Sequence, residues 1–393
     1  MRIRNLVGAV IATLVVSMTP GGSAAAAAPE PVQVRPDDLA TGALPEVAYV
    51  DTDHNLVRPG RSTVDYARPM SQPLRVHGGY VVDLARRDHG FLVEDIYFLP
   101  DTGERRLLWR NNMSTQAGQR RYLVAQLASA NGRLLLLDSG TGFTLVMRVS
   151  DGRTVASRKA TDGRALTGRA LAFRGHRVLL ASGPHARDSG PDDRFAGYLT
   201  RWDLDSNKIS QVLPKARAKA SGFDAVAALD LSAGQAVLAT GQRQLVRPLP
   251  GESGPRWRTG HNEVVESWSP DDRYVLSIVA KPYFDISDHD LPAFATVRIR
   301  KARTGALVAE YRGLLAVKFF GPQSPAWEPD SASVLMSAFS GIDDHIEENP
   351  YGTGHGYVRC TVTKPSCELV LPRYEGAKLP SELVYPFAGP RAR

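Results

Sequence analysis

Apolar residues in this chain fall in short runs separated by turn residues, most clearly at Trp268-Ser269-Pro270-Asp271-Asp272-Arg273-Tyr274-Val275-Leu276-Ser277. One apolar run ends in Ser-Pro, turns through Asp-Asp-Arg and returns as a second, which is the pattern of an antiparallel hairpin. A weaker copy follows at Trp327-Glu328-Pro329-Asp330, with its return strand at Val334-Leu335-Met336. Aligning the return strands gives a ladder of pairs: Val81-Val82, Leu135-Leu136, Val178-Leu179, Val237-Leu238, Val275-Leu276 and Val334-Leu335. Their spacing, about 40 to 60 residues, brackets the period of a four-stranded repeating unit with insertions. Turn residues precede most of them, as in Asn131-Gly132-Arg133, Gly175-His176-Arg177 and Ala233-Gly234-Gln235.

After each pair comes a third strand and a turn into a fourth. Examples are Leu145 to Val149, then Ser150-Asp151-Gly152-Arg153, then Thr154-Val155-Ala156; and Val297-Arg298-Ile299-Arg300, then Arg303-Thr304-Gly305, then Leu307-Val308-Ala309. Apolar positions at i, i+3, i+4 and i+7 never persist over a helix-length window without a Gly or Pro breaking it. The 35 Gly and 27 Pro suit many tight turns instead. The expectation is an all-β chain: a single β-propeller of four-stranded antiparallel blades. Six blades follow from the ladder. The stretch Val47 to Val64, with strands at 47–50 and 55–58, suggests a seventh or partial blade closing the ring, so seven is favoured over six. Closure leaves only short, protected strand edges.

The Trp-Ser-Pro-Asp-Asp-Arg hairpin resembles the Trp-Ser-Pro-Asp-Gly-(Lys/Arg) signature of TolB-like and WD40-like propeller repeats. The ending Val358-Arg359-Cys360 to Cys367-Glu368, and the opening Pro45 to Tyr49 with Arg58-Pro59-Gly60, are similar to a group of secreted actinobacterial WD40-like propellers without an assigned reaction. The Gly-His and Trp-Asp pair of WD40 blades survives only as isolated echoes, Thr259-Gly260-His261 and Arg201-Trp202-Asp203.

Residues 1–28 read as a secretory signal peptide. Arg2 and Arg4 form a basic start, Leu6 to Val16 is apolar but short for a bilayer, and Ser23 to Ala28 supplies small residues for cleavage. A linker over 29–45, the propeller over 46–371 and a tail over 372–393 follow. The expected location is extracellular or in the cell envelope, with no later transmembrane segment. The two cysteines, Cys360 and Cys367, flank a hairpin tip at Lys364-Pro365-Ser366, and in an oxidising compartment they are expected to form a disulfide. The formal charge of +7 includes the two leader arginines. The remaining excess is dispersed and lacks interleaved aromatic residues, so nucleic acid is not an expected partner.

Catalytic spacings are missing: there is no Gly-x-Ser-x-Gly elbow, no His-Glu-x-x-His and no phosphate loop. Gly352, Gly354 and Gly356 lack a following helix to hold phosphate. Asp51-Thr52-Asp53-His54-Asn55 begins like a Ca²⁺ loop but has Leu56 where the turn needs Gly. Trp109, Trp202, Trp257, Trp268 and Trp327 suit packing between blades better than a sugar platform.

One positional feature rises above this background. Three blades carry long insertions between their second and third strands, at 184–197, 281–295 and 340–356, and connections of that type share one face of a propeller. Within a basic protein these insertions are acidic: Asp188, Asp192 and Asp193; Asp285, Asp288, His289 and Asp290; Asp343, Asp344, His345, Glu347 and Glu348. Phe195, Tyr283, Phe284 and Tyr351 add aromatic surface. This face is a candidate site for a cationic ligand, a partner protein or Ca²⁺; the alternative is that the loops are solvated insertions. The leading expectation is therefore a monomeric, secreted, non-enzymatic binding or protein-interaction module with no obligate cofactor, acting on an extracellular or envelope protein or small ligand. A propeller hydrolase or lyase acting on a glycan, with paired carboxylates near the central channel, is the alternative.

Overall fold

The computed structural model describes residues 29–35, 38–50, 56–58, 73–88, 91–111, 123–139, 143–159, 169–182, 198–213, 225–230, 234–240, 243–249, 252–280, 293–316, 325–339 and 355–374. Residues 1–28, 183–197, 281–292 and 340–354, with every acidic residue of the three insertions, and residues 51–55 and 375–393 lie outside them.

Three short strands come first: β1 (Val32–Gln33), β2 (Tyr49–Val50) and β3 (Leu56–Val57). The first four-stranded sheet comprises β4 (Leu74–Val76), β5 (Gly79–Asp88), β6 (Phe91–Pro100) and β7 (Arg106–Trp109). The second comprises β8 (Val124–Ala128), β9 (Leu134–Asp138), β10 (Phe143–Arg148) and β11 (Thr154–Lys159). In the third are β12 (Arg169–Arg174), β13 (Arg177–Ser182), β14 (Tyr198–Asp203) and β15 (Lys208–Leu213). In the fourth are β16 (Ala225–Asp230), β17 (Gln235–Thr240), β18 (Arg243–Pro248) and β19 (Trp257–Arg258). The fifth contains β20 (Glu263–Trp268), β21 (Tyr274–Ala280), β22 (Ala293–Lys301) and β23 (Leu307–Ala316). The sixth contains β24 (Ala326–Trp327), β25 (Ser333–Phe339), β26 (His355–Thr361) and β27 (Cys367–Tyr374).

Each of the six sheets is an antiparallel meander with its strands in chain order. The first strands of successive sheets touch one another, β4 to β8, β8 to β12, β12 to β16 and β16 to β20, which places them around a common axis with the fourth strands outermost. That arrangement is a β-propeller. Among the described residues there is no helix long and apolar enough to cross a membrane.

Ring closure falls to the small β2–β3 pair. Val47, Tyr49 and Val57 pack with Ala326, Leu335, Tyr357 and Val370 of the sixth sheet. Their alternate neighbours Ala48 and Leu56 pack with Tyr80, Val82 and Leu84 of the first. A two-residue period thus turns one side of the pair to the last blade and the other to the first. Within the expected strands at 47–50 and 55–58, residues 49–50 and 56–57 pair as a two-stranded sheet among the described residues, in the closing position.

Local turn chemistry explains why the hairpins form where the sequence repeats. In the fifth sheet Ser269 Oγ donates to Asp271 Oδ1, the Arg273 amide donates to the same oxygen, and the Tyr274 amide donates to Ser269 Oγ. In the second sheet Ser129, Asn131, Arg133 and Leu134 repeat all three bonds. The residue after the Asx lies in the left-handed region in both, Gly132 at φ 63° and Asp272 at φ 61°. Asp272 thus stands where the resembled signature has glycine, and it takes the glycine conformation, which Asp tolerates better than most residues.

The tryptophans pack as expected. Trp202, Trp257, Trp268 and Trp327 are buried between sheets. Trp202 Nε1 donates to Asn207 Oδ1, and Trp257 Nε1 to the Ala302 carbonyl. Cys360 and Cys367 oppose each other across β26–β27 and form the expected disulfide, Cα–Cα 4.2 Å. His176, in the turn between β12 and β13, shares a hydrogen bond of 2.9 Å with Asp205.

Within the stretch expected as a linker over 29–45, residues 32–35 and 38–44 run as a strap along the outer edges of two blades. β1 pairs in parallel with β23, and Thr41 bridges in parallel to Leu369 of β27.

Candidate functional site

The three acidic insertions leave from equivalent places. They join β13 to β14, β21 to β22 and β25 to β26, in each case the second strand of a sheet to its third. The corresponding connections β9–β10 and β17–β18 span only residues 139–142 and 241–242. Because strand direction alternates identically in all six sheets, the three roots stand at one end of the strands. Asp188, Asp192, Asp193, Tyr283, Asp285, Asp288, His289, Asp290, Asp343, Asp344, His345 and Glu347 themselves lie outside the described residues.

Beneath the 281–292 root sits an ionic network that sequence reading missed. Glu263 opens β20 opposite Val279, next to the last residue of β21, and is 1% exposed. Its carboxylate accepts hydrogen bonds from Arg300 Nε at 2.6 Å, Arg300 Nη2 at 2.8 Å, Ser277 Oγ at 2.5 Å, the Gly260 amide at 2.7 Å and Arg298 Nη1 at 3.2 Å. Arg298 Nε also donates to Glu310 Oε2 at 2.8 Å, and Arg312 Nε to Glu310 Oε1 at 2.8 Å. Burial opposes ionisation of Glu263, but hydrogen bonds from Arg300 and Ser277, the Arg300 charge and the Gly260 amide outweigh it, and its pKa falls to about 2. Glu310 is likewise lowered, burial being overcome by Arg298 and Arg312.

A carboxylate held ionised in this way is a poor general acid, which needs its pKa raised toward the working pH. Glu263 is thus a structural group: from the start of β20 it ties to Ser277 of β21 and to Arg298 and Arg300 of β22. The available signal was the alternation Arg298-Ile299-Arg300, which puts two cations on one face of a buried strand.

A smaller network of the same kind serves the first blade. Buried Asp95 accepts from Arg86 Nε at 2.7 Å and from the Asn111 amide at 3.0 Å. Asn111 in turn receives the Leu123 amide at 2.9 Å and donates to the Leu123 carbonyl at 2.8 Å, tying the end of the first blade to the start of the second. Among the described residues no group of three or more His, Cys, Asp or Glu is placed to hold a metal ion.

The opposite end of the strands carries a groove of about 290 Å³ between the fourth and fifth blades. Gly234, Pro248, Ser253, Pro255, Asp272 and Arg303, all from tight turns and the β18–β19 connection, line it. Gln235 forms its floor and is engaged in the fold: Nε2 donates to the Ala302 carbonyl at 3.0 Å, and Oε1 accepts from Trp268 Nε1 at 2.9 Å. Nothing catalytic is assembled there.

No family model matches the chain, and no curated protein sequence matches it. Among solved structures, a chain of the mitotic checkpoint complex is similar at 14% identity over 89% of this chain and 98% of that one, with a TM-score of 0.46. An oligogalacturonate lyase from Vibrio parahaemolyticus matches at 11% identity over 85% of this chain and 87% of that one, with a TM-score of 0.46. The WD40 repeats of RRP9 match at 14% identity over 80% and 82%, with a TM-score of 0.43. Likeness at this level says nothing about activity; the propeller assignment rests on the meander order and the ring of first strands.

Proposed function

We propose that this protein is an exported, non-enzymatic propeller that works as a binding or interaction module, with its ligand face at the end of the strands from which the three acidic insertions depart. The observation that carries the reading is topological. Connections remote in sequence, β13–β14, β21–β22 and β25–β26, all root at the same end of a rigid scaffold, and all three are acidic in an otherwise basic chain. Loops held by a scaffold are a usual place for binding residues, and acids gathered there favour a cationic partner surface or Ca²⁺. Asp188, Asp192, Asp193, Asp285, Asp288, Asp290, Asp343, Asp344 and Glu347 supply the charge, His289 and His345 add donors, and Tyr283 adds an aromatic face. The partner is an extracellular or envelope protein or a small cation, met by a monomer.

The test is a quadruple variant, Asp288→Asn, Asp290→Asn, Asp343→Asn and Asp344→Asn, compared with the parent by calorimetric titration of Ca²⁺ and of an oligolysine peptide. At least a tenfold loss of affinity for one probe is expected, equivalent to about 1.4 kcal/mol. Equal affinities, or no binding of either probe to the parent, reject the reading.

A further inference from the structure

The N-terminal strap has the contacts of a bound peptide. All six blades are complete four-stranded meanders without it, so it adds to the fifth and sixth from outside. Its first half extends β23: Val32 aligns with Tyr311, Gln33 with Arg312, and the Val34 amide donates to the Arg312 carbonyl at 2.9 Å. Its second half lies against β27, where the Leu369 amide donates to the Ala40 carbonyl at 2.9 Å and the Gly42 amide to the Leu369 carbonyl at 2.7 Å. Main-chain pairing to an exposed sheet edge is the mode by which extended peptides are recognised.

Two further features read the strap. Arg359 is fixed by Glu328 at 2.7 Å and by Glu368 at 2.7 Å, and it donates to the carbonyls of Ala43 at 3.1 Å and Leu44 at 2.9 Å. The main anchor is Val34, 2% exposed, which sits in the core between the two blades among Ile299, Tyr311, Trp327, Met336, Val358 and Val362, with Val32 and Leu39 partly buried against the same cluster. Gln33, Arg35, Ala43 and Leu44 face outward. The backbone also approaches closely at Gly313, φ +84°, where a Cβ would lie 2.7 Å from the Val34 carbonyl oxygen. Edge pairing, a guanidinium reading two carbonyls and a fully buried valine flanked by the partly buried Val32 and Leu39 make a site that recognises extended backbone around a buried branched apolar residue.

We infer that the cleft between the outer edges of β23 and β27 is a peptide-binding site, occupied by the chain's own residues 32–35 and 38–44 as a tethered ligand, and that it accepts a peptide of the same pattern in trans when the tethered copy is displaced. Tethering gives the resident segment a high effective concentration, so the wild-type cleft is self-occupied. This inference is independent of the acidic insertions.

The test uses the full chain carrying Val34→Asp, which removes the anchor and leaves every cleft residue in place. A fluorescent synthetic peptide of residues 30–46 is expected to bind this variant, by anisotropy, at least about tenfold more tightly than it binds wild type, and to raise the variant's thermal midpoint. The same peptide carrying Val34→Asp is expected to bind at least about tenfold more weakly. Equal uptake by wild type and variant, or equal binding of the two peptides, overturns the inference. Should V34D not be recovered folded, Val34→Ala is titrated in its place. Should neither fold alone, refolding with the peptide present decides: recovery supports the site, and failure overturns it.

Discussion

The second and fifth blades share one topology and one turn motif yet fill their interiors in opposite ways. In the second, Leu135, Leu136, Leu137, Leu145, Val146 and Met147 are all buried, and apolar side chains cover both faces of the sheet. Leu136 and Val146 meet Val178, Leu180 and Trp202 of the third blade in an apolar cluster, with Asp138 at the edge of the same face bonded to Thr144. In the fifth, the face toward the fourth blade is only partly apolar: Val265, Trp268 and Val275 pack on Val237 and Val246. Glu263, Ser277, Arg298, Arg300 and Glu310 share that face, Ser277 opposite Val265 and Arg300 opposite Val275. The two blades differ in what they tolerate: an apolar layer answers to volume, and an ionic one to the survival of every partner.

The largest break in this comparison should come from Glu263→Gln. Arg298 and Arg300 stay largely buried and lose their shared carboxylate, so a loss on the order of 4 kcal/mol is expected in urea unfolding at pH 7. The pH dependence carries the same signature. Glu263 has a folded pKa of about 2 against an ordinary 4.5, so its contribution is present above about pH 4.5 and disappears as pH falls toward 2. The parent should therefore lose stability across that window more steeply than E263Q. Parallel acid limbs would contradict the ionic account.

Leu136→Ala in the second blade comes next, at about 3 kcal/mol, because it leaves a void that the neighbouring Val146, Val178 and Trp202 cannot fully collapse into. Its cost should be nearly independent of pH between 3 and about 7, since the void opens among apolar side chains. A pH-dependent loss would show the two interiors to be less different than their residues imply.

The smallest effect sharpens the comparison at the turns. Gly132 in the second blade and Asp272 in the fifth adopt nearly the same left-handed conformation, φ 63° and 61°. Asp272→Gly is expected to stabilise by roughly 0.5 kcal/mol and Gly132→Ala to destabilise by about 1 kcal/mol, both measured by thermal unfolding. Equal signs for the pair would mean that backbone strain is not what separates these turns.

Much of the fold was legible in the sequence for a local reason. The Val/Leu return strands, the Ser-x-Asx turns and the glycines at φ > 0 act over a few neighbouring residues, so Leu134–Asp138 and Tyr274–Ala280 could be placed as second strands directly. The hairpin joining Cys360 to Cys367 closes over seven residues, and its disulfide was equally accessible. The candidate face was readable as a set of insertions at equivalent positions, because strand alternation alone decides at which end a connection emerges.

Other features depend on partners far apart in the chain. Glu263 is an ordinary acid in the sequence; its low pKa comes chiefly from Arg300, 37 residues away, with Ser277 and the Gly260 amide. The strap at 32–44 has too few apolar positions to declare itself a strand, and it is held by Arg359, more than 300 residues later. By itself, the sequence determined the repeating meander, since period-two burial and turn conformation are properties of short segments. Only the tertiary structure decided which buried charges are paired and what the N-terminal segment covers, because Coulomb attraction and edge pairing depend on distances that exist only once the ring has closed.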